Sequence, residues 1–150
     1  MRAYADTSWW VAFKNSSDAQ HEKAVGFFEQ AEDVAVLWTP WQRVEVYNAF
    51  RQLDKAGSLP QQSANVFIRS LEHEIRLGYW PHVEFDWIEA VRTANELSTD
   101  HSRNLLIRGM DLFHVAIALE VGAEKFLTFD GDQTALAKVA GLDVWEGDRS

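Results

Sequence analysis

Four carboxylates of the sequence stand where apolar segments end or begin. Asp6 and Asp130 each directly follow a short apolar segment of the kind that forms buried strands. Glu45 and Asp111 lie near the start of expected helices, each flanked on both sides by apolar residues. Carboxylates that converge raise one another's pKa, and a divalent cation removes that repulsion. Oxygen ligands of this kind suit Mg²⁺ or Mn²⁺, with waters completing the coordination shell.

Each of these carboxylates also has an ordinary structural explanation. Asp6 and Asp130 could cap a helix or close a turn, because aspartate side chains accept hydrogen bonds from free backbone N–H groups. Asp111 could serve as the acidic residue that a helix dipole favours in a first turn. Glu45 could pair with Arg43 or Arg51 on the surface. If all four carboxylates lie on one edge of the sheet, four separate structural explanations are less probable than one shared function. That argument depends on the strand order.

Capping signals and apolar periodicity predict alternating strands and helices. Thr39-Pro40-Trp41-Gln42 forms a capping box with proline at the first helical position, and Ser17-Asp18-Ala19-Gln20 has the same form. The alternation predicts an α/β fold whose parallel sheet has helices on both faces and binds ligands beyond the carboxyl ends of its strands. The expected strands are 2–5 (with 9–13 continuing its apolar character), 34–38, 82–86, 126–129 and 142–145. One expected helix begins after Gln20, and further helices span about 40–55, 58–77, 87–98 and 110–121. A short last helix is capped by Asp130 or Asp132. The segment 99–109 is either a loop or a short helix, and 147–150 is a polar tail.

Composition limits the classes of protein to which the chain can belong. A length of 150 residues predicts a single domain over 1–150. The chain has no cysteine, which excludes disulfides, thiolate zinc sites and a cysteine nucleophile. No apolar run reaches the roughly 18 residues of a membrane helix, and no signal peptide is recognisable, so we expect a cytoplasmic protein. The net charge of −9 argues against a broad, non-specific nucleic-acid binder but permits an enzyme that meets phosphate through metal ions.

Residues near the carboxylates have more ordinary expected roles. His114 lies three residues after Asp111 on the same helix face, which favours a supporting or packing role over metal ligation. Trp9, Trp10 and Trp41 flank the carboxylates, and packing is favoured over base stacking. No glycine-rich phosphate loop is present, so a nucleotide cofactor has no support.

In their order and spacing, these segments resemble the PIN-domain nucleases, and among them the VapC-type toxins of toxin–antitoxin pairs. The resemblance covers nearly the whole chain. It implies a three-layer sandwich with a central, mostly parallel sheet. The segments that carry it are Asp6-Thr7-Ser8, 44–50 around Glu45, 111–116 beginning at Asp111, and 126–130 ending at Asp130.

The resemblance also implies an activity and a set of partners. Asp6, Glu45, Asp111 and Asp130 would be the catalytic carboxylates and would bind Mg²⁺ or Mn²⁺, with Asp132 as a possible further ligand. The implied reaction is metal-dependent cleavage of RNA phosphodiester bonds. The implied partners are an RNA substrate, a cognate antitoxin protein that blocks the groove, and a second copy of the chain in a homodimer. No membrane partner is implied.

Some positions support or modify this interpretation. Thr7, Asn48, Thr128 and His114 match family positions that tend to be structural or to contact the ligands, and Met110 stands where many relatives have glycine. Arg43 and Arg108 are candidates for phosphate contacts. Two alternatives stay open: a non-catalytic interaction module with a degenerate acidic pocket, and a DNA-directed nuclease of the same fold.

Overall fold

A four-stranded parallel sheet lies at the centre of the structure, a computed structural model that describes residues 1–60 and 62–145. The strands are β1 (Arg2–Ala5), β2 (Ala35–Leu37), β3 (Lys125–Leu127) and β4 (Asp143–Trp145). Their order is β2-β1-β3-β4, and every neighbouring pair is parallel. Tyr4 is in register with Leu37 on one side and with Phe126 on the other. β1 is therefore an inner strand, and its carboxyl end is flanked by those of β2 and β3.

Helices cover both faces of this sheet. Because side chains alternate along a strand, Ala3 and Ala5 pack with the first four helices, whereas Tyr4 packs with the last three. This arrangement confirms the α/β fold class predicted from the sequence, a three-layer sandwich around a parallel sheet. No helix of the described residues is long and apolar enough to cross a membrane. The helices are α1 (Thr7–Lys14), α2 (His21–Gln30), α3 (Pro40–Lys55), α4 (Ser63–Arg76), α5 (Trp87–His101), α6 (Gly109–Glu120) and α7 (Gly131–Val139).

The tryptophans of α1 belong to an aromatic core on the first face. Trp9 and Trp10 are fully buried, and Trp10 packs edge-to-face on Trp38 and on Trp80 with ring centroids 5.1 Å apart in each pair. Edge-to-face packing of this kind is favourable beyond the area that it buries. The expectation that Trp9 and Trp10 pack rather than stack on a ligand is confirmed.

Three predicted elements near the amino-terminal half differ from the structure. Residues 9–13 belong to α1 rather than to an extension of β1, because Asp6 accepts a hydrogen bond from the backbone of Trp9 and begins a helix there. Ser17 does not cap α2, which follows Gln20 without a side-chain cap. Helix α4 begins at Ser63 instead of Ser58, after a residue with left-handed backbone.

The remaining differences are smaller. The expected strand 82–86 is reduced to one bridge between His82 and Trp38. The segment 99–109 divides, with its first three residues ending α5 and its last residue beginning α6. Of the two residues predicted to cap α7, Asp130 is the cap, because its side chain accepts hydrogen bonds from the backbone N–H groups of Asp132 and Gln133. The predicted polar tail 147–150 lies outside the described residues.

Candidate active site

The four carboxylates at strand ends and helix starts line one pocket of about 450 Å³. They come from four separate places: Asp6 after β1, Glu45 on α3, Asp111 on α6, and Asp130 after β3. Asp132 is different, since it lies exposed in the first turn of α7 and does not line the pocket. The complete lining is Asp6, Thr7, Ser8, Glu45, Arg108, Gly109, Met110, Asp111, His114, Asp130 and Gln133.

Asp6 is the most buried of the four carboxylates, with 4% of its surface exposed. Its Oδ1 accepts hydrogen bonds from Ser8 Oγ at 2.6 Å and from the backbone N–H of Trp9 at 3.1 Å. Its Oδ2 accepts from Thr128 Oγ1 at 2.5 Å. Burial raises the pKa of Asp6, while the neighbouring His114 and these hydrogen bonds oppose the increase. The carboxylate is thus held rigidly in a place where its negative charge is unfavourable.

Glu45 is held by two side chains from other elements. Thr7 Oγ1 donates to Glu45 Oε2 at 2.9 Å, and His114 Nε2 makes a hydrogen bond with the same oxygen. The hydrogen bond with His114 is the main reason that the pKa of Glu45 is lowered. The other ring nitrogen of His114 lies 2.8 Å from Tyr4 Oη in the middle of the sheet. Of the two arginines considered as partners for Glu45, Arg43 instead pairs with Glu72 of α4.

Asp111 and Asp130 combine capping with proximity to each other. Asp111 Oδ2 accepts from the backbone N–H of Arg108 at 3.3 Å, and Asp130 Oδ1 accepts from that of Asp132 at 2.8 Å. Burial raises the pKa of Asp111, and the negative charge of Asp130 raises it further. The structural explanations considered for Asp6, Asp111 and Asp130 therefore hold, and the three residues also converge on the pocket.

The amino termini of three helices, α1, α6 and α7, meet at this pocket because each begins beside one of these aspartates. Helix amino termini carry partial positive charge, which reduces the repulsion among the carboxylates. The arrangement nevertheless concentrates negative charge in a partly buried space. Within residues 1–60 and 62–145, no group of three or more acidic or histidine side chains is placed closely enough to hold a metal ion.

The supporting residues suggested by the sequence divide into two groups. Thr7, Thr128 and His114 each make a hydrogen bond to a carboxylate of the pocket. Asn48, in contrast, is exposed on α3 and does not line the pocket. Of the two arginines considered for phosphate contacts, Arg108 lines the pocket.

Sequence reasoning missed three residues of the site. Ser8 Oγ donates to Asp6 and accepts from the backbone N–H of Phe129, which ties α1 to the end of β3. Gln42, assigned only a capping role, also donates from Nε2 to the carbonyl of Ala5 at 2.6 Å. Gln133 lines the pocket, and its buried Oε1 has no hydrogen-bond partner. Its position three residues after Asp130 in a first helical turn is the only sequence signal that pointed to it.

Comparison with known proteins places this geometry in a family. The family model described as "PIN domain" matches residues 3–141. No curated protein matches the sequence.

Solved structures resemble the chain over nearly its whole length. The Mycobacterium tuberculosis toxin VapC20, which cleaves the sarcin-ricin loop, is 21% identical with a TM-score of 0.67, and the match covers 96% of this chain and 97% of that chain. VapBC2 from Rickettsia felis, bound to a DNA fragment from its promoter, is 15% identical with a TM-score of 0.68 and coverage of 99% and 100%. FitAcB from Neisseria gonorrhoeae is 17% identical with a TM-score of 0.68 and coverage of 95% and 96%. At these identities, the likeness establishes the shared fold.

Proposed function

Because the chain belongs to the PIN domain family, we propose that it is a metal-dependent endoribonuclease that hydrolyses RNA phosphodiester bonds, and that it is the toxin of a toxin–antitoxin pair. The observation that carries this proposal is the convergence of Asp6, Glu45, Asp111 and Asp130 on one pocket from four separate elements. Like-charged groups in a partly buried space destabilise a fold unless a ligand compensates for them. A functional cation is the compensation that this donor set fits.

The donor set suits Mg²⁺ or Mn²⁺ surrounded by water. Mg²⁺ keeps several waters and takes one or two carboxylates directly, so direct contact with three side chains is not required. A pocket of about 450 Å³ has room for an ion with its waters, each of which occupies roughly 30 Å³. The unpaired Oε1 of Gln133 is a further oxygen at this pocket that lacks a donor, which water around an ion would supply.

In this proposal Asp6, Asp111 and Asp130 hold the main cation, and Glu45 completes the shell directly or through water. The bound cation would activate a water for attack on phosphorus and stabilise the leaving oxygen. No side-chain nucleophile is needed for that reaction, in keeping with a chain that has no cysteine. Asp132 as an additional ligand stays a prediction.

The protein's own contribution is to hold these oxygens in place before substrate arrives. Ser8 and Thr128 orient the Asp6 carboxylate from both sides. Thr7 and His114 hold Glu45 in the same way. A preorganised site avoids reorganisation at the moment of reaction, which is the main advantage of a folded catalyst over solvent.

The finer parts of the proposal concern substrate and partners. RNA is favoured over DNA because the chain resembles VapC-type toxins, and VapC20, which shares the fold, cleaves the sarcin-ricin loop. A cognate antitoxin is favoured because solved structures that share this fold, among them VapBC2 and FitAB, are VapBC- and FitAB-type toxin–antitoxin complexes. A homodimer and a cytoplasmic location stay predictions from the sequence.

End-mapping of total cellular RNA tests the proposal. Purified protein is incubated with RNA in Mn²⁺, in chelator, and as the Asp111→Asn variant. We expect new RNA ends that require both the metal and Asp111, with the variant remaining folded by circular dichroism. Undiminished cleavage by the variant would refute the site, and no new ends from folded wild-type protein would favour the non-catalytic interaction module or a DNA substrate.

A further inference from the structure

Gln133 is buried beside the acidic pocket with a side-chain oxygen that has no hydrogen-bond partner. The residue is 1% exposed and lies in the first turn of α7, three positions after the cap Asp130. It lines the pocket together with the four carboxylates, whereas its neighbour Asp132 is exposed and does not. A buried carbonyl oxygen without a donor destabilises the fold, so proteins seldom keep one unless it has a role.

The ordinary structural role of a glutamine at this position is to complete a capping box, and Gln42 has that role in α3. Gln42 is also buried, stands three residues after the cap Thr39, and accepts from the backbone N–H of Thr39 at 2.7 Å. In α7, the equivalent N–H of Asp130 instead donates to Thr128 Oγ1 at 3.0 Å. Because Thr128 accepts from this N–H, the oxygen of Gln133 is left without its usual donor.

The other buried side-chain atoms that lack a partner, among the residues that the structure describes, are of a different kind. They are indole N–H groups of tryptophans that do not line the pocket. An indole N–H can point at the face of a neighbouring aromatic ring, which is a weak acceptor. An amide oxygen has no such substitute and needs an N–H or O–H donor. The tryptophans are Trp9, Trp10, Trp38 and Trp41.

The backbone fixes Gln133 beside Asp130. Asp130 Oδ1 accepts from the backbone N–H groups of Asp132 at 2.8 Å and of Gln133 at 3.0 Å, so the carboxylate and the amide share one helical turn. A cation held by Asp130 would bring its waters to this turn, and a hydrogen bond from such a water is strengthened by the charge of the cation. The neutral amide oxygen can accept this hydrogen bond without adding another negative charge to the pocket.

We propose that Gln133 is the positioning residue through which α7 takes part in the metal site, and that its Oε1 accepts a hydrogen bond from a water of the cation held by Asp130 and so orients that water. This inference rests on the function proposed above. It has two measurable consequences that oppose each other. The unpaired oxygen destabilises the metal-free protein, and the same oxygen strengthens the binding of the cation.

Two quantities that do not depend on cleavage test the assignment. They are the Tm of the metal-free protein and the Kd for Mn²⁺, which the electron paramagnetic resonance signal of free Mn²⁺ gives. Gln133→Met replaces the amide with an apolar group of similar length, and Gln133→Glu keeps an oxygen acceptor at the same place. Gln52→Met, at an exposed position of α3, is the matched control. Circular dichroism confirms that each variant is folded.

Gln133→Met should raise the Tm of the metal-free protein by about 3 °C, because it removes the unpaired oxygen. The same variant should bind Mn²⁺ about tenfold more weakly, which is a typical loss when a residue that orients a metal ligand is removed. Gln133→Glu should bind Mn²⁺ at least as tightly as the wild type but melt at a lower temperature without metal, because it adds a carboxylate to the pocket. Gln52→Met should change neither quantity.

Equal Mn²⁺ affinities of the wild type and Gln133→Met would overturn the inference. A Gln133→Met protein that melts below the wild type without metal would also overturn it, because the amide would then be satisfied within the protein itself. If either result accompanied metal-dependent RNA cleavage by the wild type, the proposed function would stand and only the role of Gln133 would be withdrawn. A wild-type protein that binds no Mn²⁺ would overturn both.

Discussion

His114 Nε2 and Glu45 Oε2 form a hydrogen bond between residues 69 positions apart in the chain. The pKa of Glu45 is lowered, so its carboxylate is ionised and can only accept, and Nε2 therefore carries the proton. On its other side, His114 meets the hydroxyl of Tyr4, whose pKa burial raises well above the usual value. Tyr4 in the sheet thus orients His114 on α6, and His114 orients Glu45 on α3.

A double-mutant cycle tests this connection. Tyr4→Phe should lower the free energy of unfolding by about 1 kcal/mol in the wild type, because it removes one buried hydrogen bond. In a His114→Ala background the same change should be close to neutral. Urea unfolding measures both. Tyr47→Phe, whose hydroxyl bonds to Glu72 instead, should be additive with His114→Ala. Equal effects of Tyr4→Phe in both backgrounds would exclude the coupling.

Thermal stabilisation by Mn²⁺ distinguishes a metal site from a degenerate pocket. At about 100 times its Kd, a ligand of the folded state adds about 2.7 kcal/mol, which corresponds to roughly 5–10 °C in Tm for a chain of this size. We expect this increase for wild-type protein and its loss in Asp130→Asn.

Asp86→Asn is the matched control for that experiment. Asp86 caps α5 as Asp130 caps α7, and asparagine preserves both caps. Asp86 does not line the pocket, so its variant should keep the full response to Mn²⁺. Scanning calorimetry with and without chelator gives the comparison, and a response retained by Asp130→Asn would argue against that ligand.

Without metal, Asp111→Asn should raise Tm at pH 7. The pKa of Asp111 is raised by burial and by Asp130, so ionisation of Asp111 disfavours the folded state. The protonated Asp111 side chain contributes stability that is fully present below the pKa of an unfolded aspartate, about 3.9. This stability is lost as the pH rises through the higher pKa of Asp111 in the folded protein. The advantage of the variant should therefore shrink toward pH 4.

Melting curves in chelator between pH 4 and 8 check this expectation. The exposed Asp100 on α5 provides a control, because Asp100→Asn should leave Tm nearly unchanged across the range. A variant that is less stable than wild type at pH 7 would contradict the electrostatic argument.

Gln42 joins α3 to the end of β1. Its Nε2 donates to the carbonyl of Ala5, and its Oε1 accepts from the backbone N–H of Thr39 at 2.7 Å, all in buried surroundings. Gln42→Leu leaves both backbone groups unpaired and should reduce the free energy of unfolding by about 3 kcal/mol. Gln52→Leu, at an exposed position of the same helix, should change it by less than about 0.5 kcal/mol. Urea unfolding of the two variants checks the difference.

The parts of the fold that the sequence predicted are those governed by local signals. The capping box at Thr39 and the caps at Asp86 and Asp130 begin helices where expected. Helix α1 was missed because the apolar run at 9–13 has no helical or strand period of its own. Helix α1 begins because the Asp6 side chain accepts a hydrogen bond from the backbone N–H of Trp9. From the sequence, helix capping was only one of several roles open to Asp6.

The site shows the same division. The carboxylates could be identified because their residue type suggests their chemistry and their position follows from strand ends. The contacts that hold them could not, since Ser8 meets the backbone of Phe129 across 121 residues and no local pattern encodes such a pair. Gln133 was also missed, because its significance arises only from an acceptor left unpaired by packing.

The inner position of β1 has a consequence for synthesis. Asp6 is translated before its partner Thr128, which follows 122 residues later. At about 5–20 residues per second, the ribosome needs roughly 6 to 24 seconds to span that interval. Until its end, Asp6 lacks the hydrogen bond from Thr128, and the pocket also lacks Asp130. A nascent chain therefore cannot assemble the acidic pocket while β1 and α1 are being made, and the pocket can form only after Asp130 has been translated.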